Sequence, residues 1–417
     1  MKPLHIKRSN STYYKDLISS HLIDTILREH HIMFTKNLDV TSFSNNRRKT
    51  HNPQGRAVPS VVWDYFLNGC SIRLINPQTY IPELHLLNAS LQEFFHCFVG
   101  SNSYLTPPNS QGFAPHYDDI EAFILQVEGK KRWRLYKPRC NEETLPRYSS
   151  PNFSQRNIGE PILDTIVEPG DLLYFPRGTI HQGDTFGLGH HSLHVTLSVY
   201  QKNTWGDFLE KSIPAALQSA IQTDIRFRKG LPLYYLRRIG FAFANEYFDI
   251  HKKFLAQVQS LLNILVSEYL NIDETADELA KNHIHDFLPP MLNKQEYYCS
   301  VYGGGERMTK SGTIVNRVQF KPSTSIRLSR AHCIRLVMER NSYRIYYSCD
   351  NSKEYHEYEL QYLEIHPKFI DAIKKIILQF PSFMKVKDLP IKNHNYKVQF
   401  VSDLWEKGIL VCEKPFF

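Results

Sequence analysis

The chain has 417 residues, 42% of them hydrophobic and 22% charged, with 19 Gly and 23 Pro. This balance excludes disordered, collagen-like and low-complexity classes and leaves room for two or three packed domains. The formal net charge of +8 fits a nucleic-acid or ribonucleoprotein partner and, equally, a basic solvated surface.

No stretch approaches the roughly 20 apolar residues of a membrane helix, and Met1 to Arg8 contains no signal-peptide core. Seven scattered cysteines (70, 97, 140, 299, 333, 349 and 412) without a CxxC pair predict reduced thiols in an intracellular compartment. Residues 1–60 read as mixed helix and loop. Ser19 to His31 has helical spacing at Leu22, Ile23, Ile26 and Leu27, and the basic stretch Asn45 to Arg56 reads as an exposed loop, solvated or touching phosphates. Cys70 to Ile75 predicts a strand, Leu84 to Phe98 a helix and Val99 to Leu105 a further strand. A Pro-, Asn- and Gly-rich loop, Thr106 to Pro115, then delivers His116-Tyr117-Asp118. Ala122–Val127 and Arg132–Tyr136 flank Glu128-Gly129-Lys130-Lys131, a hairpin signal. Asp164–Val167, Asp171–Phe175 and Ser192–Tyr200 add strands, broken by Pro169-Gly170 and Pro176-Arg177-Gly178. Many short strands between turns predict a sandwich or small barrel, of the double-stranded β-helix kind seen in cupins.

From Trp205 the apolar period changes to 3.6, at Phe208, Leu209, Ile213, Leu217, Ile221 and Ile225, and again at Phe254, Val258, Leu261, Leu262, Leu265 and Tyr269. Such stripes serve as core or as a dimer interface. Beyond Pro289-Pro290, strands over Thr313–Phe320, Tyr343–Cys349 and Tyr355–Tyr358 and a helix over Pro367–Gln379 predict a winged-helix-like module, a docking or nucleic-acid-binding unit. The expected class is α+β in three parts: a barrel with N-terminal helical elements (1–205), a helical block (206–290) and the winged-helix-like part (291–417).

On an extended backbone, residues two apart share a face, so His116 and Asp118 reach one point together. His181, in Tyr174-Phe175-Pro176-Arg177-Gly178-Thr179-Ile180-His181-Gln182, is the candidate third ligand. His190, His191 and His194 are rivals. Two imidazoles and a carboxylate cover one face of an octahedral ion and leave the other open, as non-haem Fe(II) dioxygenases require. A zinc hydrolase accepts the same donors. A buried cation able to pair with the far carboxylate of a keto acid would discriminate. One of Lys130 and Lys131 should face inward, and alternation alone does not say which.

The stretches Asn102-Ser103-Tyr104-Leu105-Thr106-Pro107, Gln111 to Phe123, Glu128-Gly129-Lys130-Lys131-Arg132-Trp133, Glu168 to Gln182 and Leu193 to Ser198 resemble the JmjC ribosomal oxygenases. Phe227-Arg228-Lys229-Gly230-Leu231-Pro232, His285 to Pro290, Ser300-Val301-Tyr302-Gly303 and Glu406 to Leu410 extend the likeness over nearly the whole chain. The resemblance implies a JmjC barrel whose His116, Asp118 and His181 bind Fe(II). It implies that Lys131, helped by Thr196, holds the distal carboxylate of 2-oxoglutarate, with O2 as second co-substrate. By the same resemblance Asn102 and Tyr104 would border that co-substrate and, with Arg73 and Ser198, line the target pocket. It further implies a homodimer through the helical block and hydroxylation of a histidine in a large-subunit ribosomal protein. Demethylation of histone lysines in transcription regulation is the alternative activity, and a catalytically silent scaffold the third. The family also implies residence in the nucleus, nucleolus and nucleoplasm, addressed by an N-terminal extension that this chain is expected to lack.

Overall fold

A computed structural model of the chain describes residues 2–199, 202–243, 246–339, 341–354 and 357–416. These residues form two compact units, one of Met1–Gln201, His283–Leu336 and Ser342–Phe417, the other of Lys202–Asn282 and Val337–Asn341.

In the first unit, Ser19 caps α1 (Ser20–Glu29) by accepting the Leu22 N–H at 3.0 Å, and the helix buries Ile23, Ile26 and Leu27. Helices α2 (Pro59–Leu67) and α3 (Pro82–Phe95) both start on a proline, where the missing N–H costs no hydrogen bond. The strands are β1 (Leu4–Ile6), β2 (Leu38–Ser44), β3 (Arg47–Thr50), β4 (Ser71–Ile75), β5 (Val99–Thr106), β6 (Glu121–Gly129), β7 (Lys131–Tyr136), β8 (Leu163–Val167), β9 (Leu172–Phe175), β10 (Ile180–Asp184) and β11 (Ser192–Val199). Eight of them form one sheet in the order β1-β9-β6-β11-β5-β4-β2-β3, and three form a second, β10-β7-β8. The two sheets face each other. Ala122 and Ile124 of β6 and Leu173 and Phe175 of β9 share a buried cluster with Trp133, Leu135 and Val167 of the smaller sheet. The larger sheet turns its other face to α1–α3, where Ile23, Leu27, Val62 and Leu84 pack on Ile72, Leu105, Val195 and Leu197.

The expected loop at Asn45 to Arg56 is in part a strand. Asn45 and Asn46 take positive φ (53° and 57°) and turn β2 back into β3, the two-residue hairpin geometry that asparagine favours. The run Arg47-Arg48-Lys49-Thr50 has no apolar alternation, which is why its edge strand is not legible in sequence. His181 stands on β10, a strand that the Gly178 turn obscures.

The second unit holds α4 (Trp205–Thr223), started by a capping box between Thr204 and Asp207, and α5 (Phe248–Ile264). Along α4, Leu209, Ile213, Leu217 and Ile221 stay 41–44% exposed. Helix α6 (Ile272–Asp286) follows.

The C-terminal part of the chain contains α7 (Lys294–Tyr298), β12 (Arg307–Met308), β13 (Ile314–Val315), β14 (Ser325–Leu328), β15 (Ile334–Glu339), β16 (Ser342–Tyr347), β17 (Tyr362–Ile365), α8 (Ile370–Gln379), β18 (Met384–Lys385), α9 (His394–Glu406) and β19 (Leu410–Cys412). Sheets β18-β14-β19 and β15-β16-β17 bury Ile326, Leu328, Ile345 and Leu410 with Ile373, Ile376, Val401 and Leu404 of α8 and α9. The strand expected over Thr313–Phe320 shortens to Ile314–Val315. Of the strand expected over Tyr355–Tyr358, Tyr355 and His356 lie outside the described residues, as does Tyr200 at the end of β11.

Candidate active site

An antiparallel bridge sets the site. His181 N–H donates to the His116 carbonyl at 2.8 Å, and His116 N–H donates to the His181 carbonyl at 3.3 Å. Directly paired residues point to the same side, so the two imidazoles lie with centroids 4.4 Å apart. The Nδ1 of His116 donates to the Ala114 carbonyl at 2.8 Å and that of His181 to the Thr179 carbonyl at 3.1 Å. A carbonyl only accepts, so each ring keeps its proton on Nδ1 and turns a bare Nε2 inward. Burial, and secondarily His116, push the His181 pKa down to about 4, which keeps it neutral. Asp118 completes the group, its two oxygens 3.7 Å from His116 Nε2 and His181 Nε2. The three ligand atoms lie within 4.8 Å of one another, neutral imidazoles and a carboxylate suited to a divalent ion. Ser149 Oγ, 3.4 Å from Asp118 Oδ1, steadies the carboxylate.

These residues open into a cavity of about 250 Å³. Lys131, the first residue of β7, enters it and is 5% exposed. Its Nζ donates to Thr106 Oγ1 at 3.0 Å. Burial pulls its pKa down to about 7, partly offset by Asp184. A hydroxyl cannot neutralise a buried ammonium, so the position calls for an anion. Lys130 faces out and pairs with Glu168. Gly183 makes the room: a Cβ there would come 3.0 Å from Lys131 Cε and 3.2 Å from the Trp133 ring.

Arg73, Tyr104 and Thr196 also line the cavity. Arg73 pairs with Asp39, and burial raises the Tyr104 phenol pKa. Asn102 and Ser198 share strand faces with Tyr104 and Thr196 by alternation, but neither is part of the lining. Asn102 Oδ1 is nonetheless buried without a hydrogen-bond partner.

Among the lining residues that can carry charge, two have no expectation from sequence as pocket walls. His194 stacks on Tyr104 (5.0 Å, 6°) and meets Trp133 edge-on (5.3 Å, 82°). Its Nδ1 is buried without a partner, and burial, then Lys131, hold its pKa well below the usual value. It lies outside the ligand group, while His191 pairs with Glu128 at 2.9 Å. Alternation with Thr196 on β11 was the available signal. Arg48, on β3, is the other. An orphaned imidazole nitrogen, a buried ammonium and bare metal donors lining one cavity fit a divalent ion and a keto dicarboxylate.

The chain matches the family model for the JmjC domain over residues 73–208 and that described as "Ribosomal oxygenase 1, C-terminal winged helix domain" over 288–416. It is 45% identical over 414 residues to "Ribosomal oxygenase 1" of Danio rerio, covering 99% of this chain and 76% of that protein. It is 49% identical over 410 residues to the "Bifunctional lysine-specific demethylase and histidyl-hydroxylase NO66" of Aedes aegypti, covering 98% of this chain and 64% of that protein. The chain thus spans slightly under two thirds of the Aedes aegypti and Culex quinquefasciatus relatives (64% and 63%). The X-ray structure of E. coli ycfD shares the fold, with a TM-score of 0.51 and 15% identity over 99% of this chain and 95% of that one.

Proposed function

This chain belongs to the ribosomal oxygenase 1 family, and from that membership we propose that it is an Fe(II)- and 2-oxoglutarate-dependent dioxygenase that hydroxylates a histidine of a large-subunit ribosomal protein. The observation that carries this reading is the convergence of the His116, Asp118 and His181 ligand atoms within 4.8 Å, in a cavity that also holds the buried amino group of Lys131.

His116 and His181 would offer Nε2, and Asp118 a carboxylate oxygen, from one side of the ion. Iron(II), when bound, would activate O2, the oxidant: the keto acid would lose CO2 to become succinate, with one oxygen atom going to succinate and the other to the substrate carbon. Lys131 would pair with the distal carboxylate, with Thr106 and Thr196 contributing hydroxyls. Tyr104 would border the co-substrate and, with Arg73, the target side chain; Asn102 and Ser198, outside the cavity lining, would join that border once it is loaded. Ile124, Trp133 and Phe175 line the cavity with apolar surface. They exclude water and hold the target carbon in place, and a misplaced C–H bond would leave turnover uncoupled.

Relatives named as both demethylase and hydroxylase favour a second reading, demethylation of histone lysines in transcription regulation, which would use the same ligands. The intact ligand group and buried lysine weigh against a silent scaffold. We assign residues 1–205 to catalysis, 206–290 to homodimer formation and 291–417 to a winged helix. The half-exposed apolar stripe of α4 supports the second of these. By family we infer nuclear, nucleolar and nucleoplasmic residence.

The full chain with Fe(II), 2-oxoglutarate and O2 is expected to add one oxygen to a histidine peptide of a large-subunit ribosomal protein, read by mass spectrometry. His116→Ala should lose both the product and the bound metal. Undiminished hydroxylation by that variant would overturn the ligand assignment, and demethylated histone peptides without hydroxylated ribosomal ones would favour the second reading.

A further inference from the structure

The cavity holds one cation that the proposed chemistry does not use. The Arg48 guanidinium carbon lies 4.4 Å from the centroid of Phe113, and Phe113 packs edge-on against Tyr104 with centroids 5.4 Å apart. The same ring stands 6.4 Å from the imidazole of His116. These contacts hold Arg48 at the cavity wall, next to the metal ligands. Among the described residues no carboxylate forms an ion pair with it, because the neighbouring Asp39 is engaged by Arg73 and Asn52. Arg48 Nε is buried without a hydrogen-bond partner. A partly buried guanidinium beside a second one is costly unless something arrives to compensate it.

The proposed load does not compensate it. A divalent ion with Asp118, and a dicarboxylate with Lys131, come to no net charge together, and Arg73 is balanced by Asp39. Arg48 is left facing whatever side chain enters.

We propose that Arg48 is a specificity-determining residue: it takes a carbonyl or carboxylate oxygen of the substrate next to the target, and it rejects an alkylammonium target. The inference rests on the oxygenase reading and selects a neutral histidine over a methylated lysine. A guanidinium offers its donors in a planar fork that matches carbonyl and carboxylate oxygens. A methylated lysine keeps its charge, so its side chain would meet a like charge in the cavity. An alkylammonium is otherwise received by aromatic faces, and Phe113, Tyr104 and Trp133 of this cavity each already carry a partner. Arg48 covers Phe113, His194 stacks on Tyr104 at 5.0 Å, and Lys131 lies 5.5 Å from the Trp133 centroid. Asp118, the acidic residue of the lining among those described, faces the two imidazoles.

The test loads the full chain with Mn(II) and N-oxalylglycine, which would hold the site without turnover. Two peptide pools then compete for it: large-subunit ribosomal peptides centred on each histidine, and the same peptides with dimethyllysine at the centre. Wild type is expected to prefer the histidine pool by at least about tenfold, Arg48→Gln to narrow that preference and Arg48→Glu to reverse it. Binding of N-oxalylglycine without peptide is measured on each protein. If all three proteins hold it and retain the same preference between pools, the role of Arg48 is overturned. If wild type holds neither Mn(II) nor N-oxalylglycine, the oxygenase reading falls instead.

Discussion

Lys130 and Lys131 are adjacent and chemically alike, and they point opposite ways where the chain passes from β6 to β7; the hairpin expected there does not form, because β6 pairs with β11 and β9 in the larger sheet and β7 with β10 and β8 in the smaller. Lys130 reaches Glu168 at the surface, while Lys131 is buried against Thr106. The consequence is a pH dependence. Burial lowers the Lys131 pKa to about 7, so in the unloaded cavity its charge is lost as pH rises through about 7. A dicarboxylate needs the charged form. The affinity for 2-oxoglutarate should therefore fall above about pH 7, and binding there should take up a proton, seen by calorimetry in buffers of different ionisation enthalpy. Lys131→Met should abolish both the uptake and its pH dependence; an unchanged proton count would remove Lys131 from the co-substrate. Gly183→Ala, crowding Lys131 Cε and Trp133, should weaken 2-oxoglutarate binding by about tenfold while leaving metal binding by His116, Asp118 and His181 intact.

Among the elements, the short helix α7 shows how a local cap becomes a tertiary clamp. Asn293 and Glu296 form its capping box, and Glu296 also takes Arg327 at 2.7 Å and Arg330 at 2.9 Å. Burial alone would raise the Glu296 pKa, but hydrogen bonds from Arg330, the Asn293 N–H and Arg327 bring it down to about 2. A folded pKa below the ordinary carboxylate value means stability that is present above about pH 4.5 and lost as pH falls through about 2. The loss should amount to about 3 kcal/mol for a shift of this size. It would appear as a falling urea midpoint over that window, and Glu296→Gln should flatten the fall. The Asn293-to-Glu296 spacing is legible as a cap in sequence; the two arginines that make it acid-sensitive are not, because β14 and the turn after it bring Arg327 and Arg330 in from afar.

On the scale of the first unit, α3 fastens the barrel to the C-terminal part. The buried Gln92 carboxamide accepts the Leu288 N–H at 3.1 Å and contacts His332 Nε2 at 3.2 Å. His85 Nε2 meets the Pro289 carbonyl at 3.0 Å. Gln92→Leu would leave a buried backbone N–H unpaired, at a cost of about 1–3 kcal/mol. Urea unfolding should show that loss in one shared transition for barrel and C-terminal part. Loss of the C-terminal signal alone, with the barrel midpoint unmoved, would show that the junction does not couple them.

What the sequence determined by itself was local or chemical: the donor types at His116, Asp118 and His181, the period-two strands around them, and the change to helical period after Trp205. Alternation has period two and needs no knowledge of the rest of the chain, so it also placed His116 with Asp118, whereas Asn102, Tyr104, Thr196 and Ser198 were named by the family resemblance alone. Register and closure are long-range, and only the tertiary structure decided them. The bridge between His116 and His181 joins distant segments, the choice of Lys131 over Lys130 depends on where β7 sits against Thr106, and Arg48 reaches the cavity only because Asn45 and Asn46 fold a polar strand onto the sheet edge. A charge buried by such pairing leaves no local trace in the residues around it.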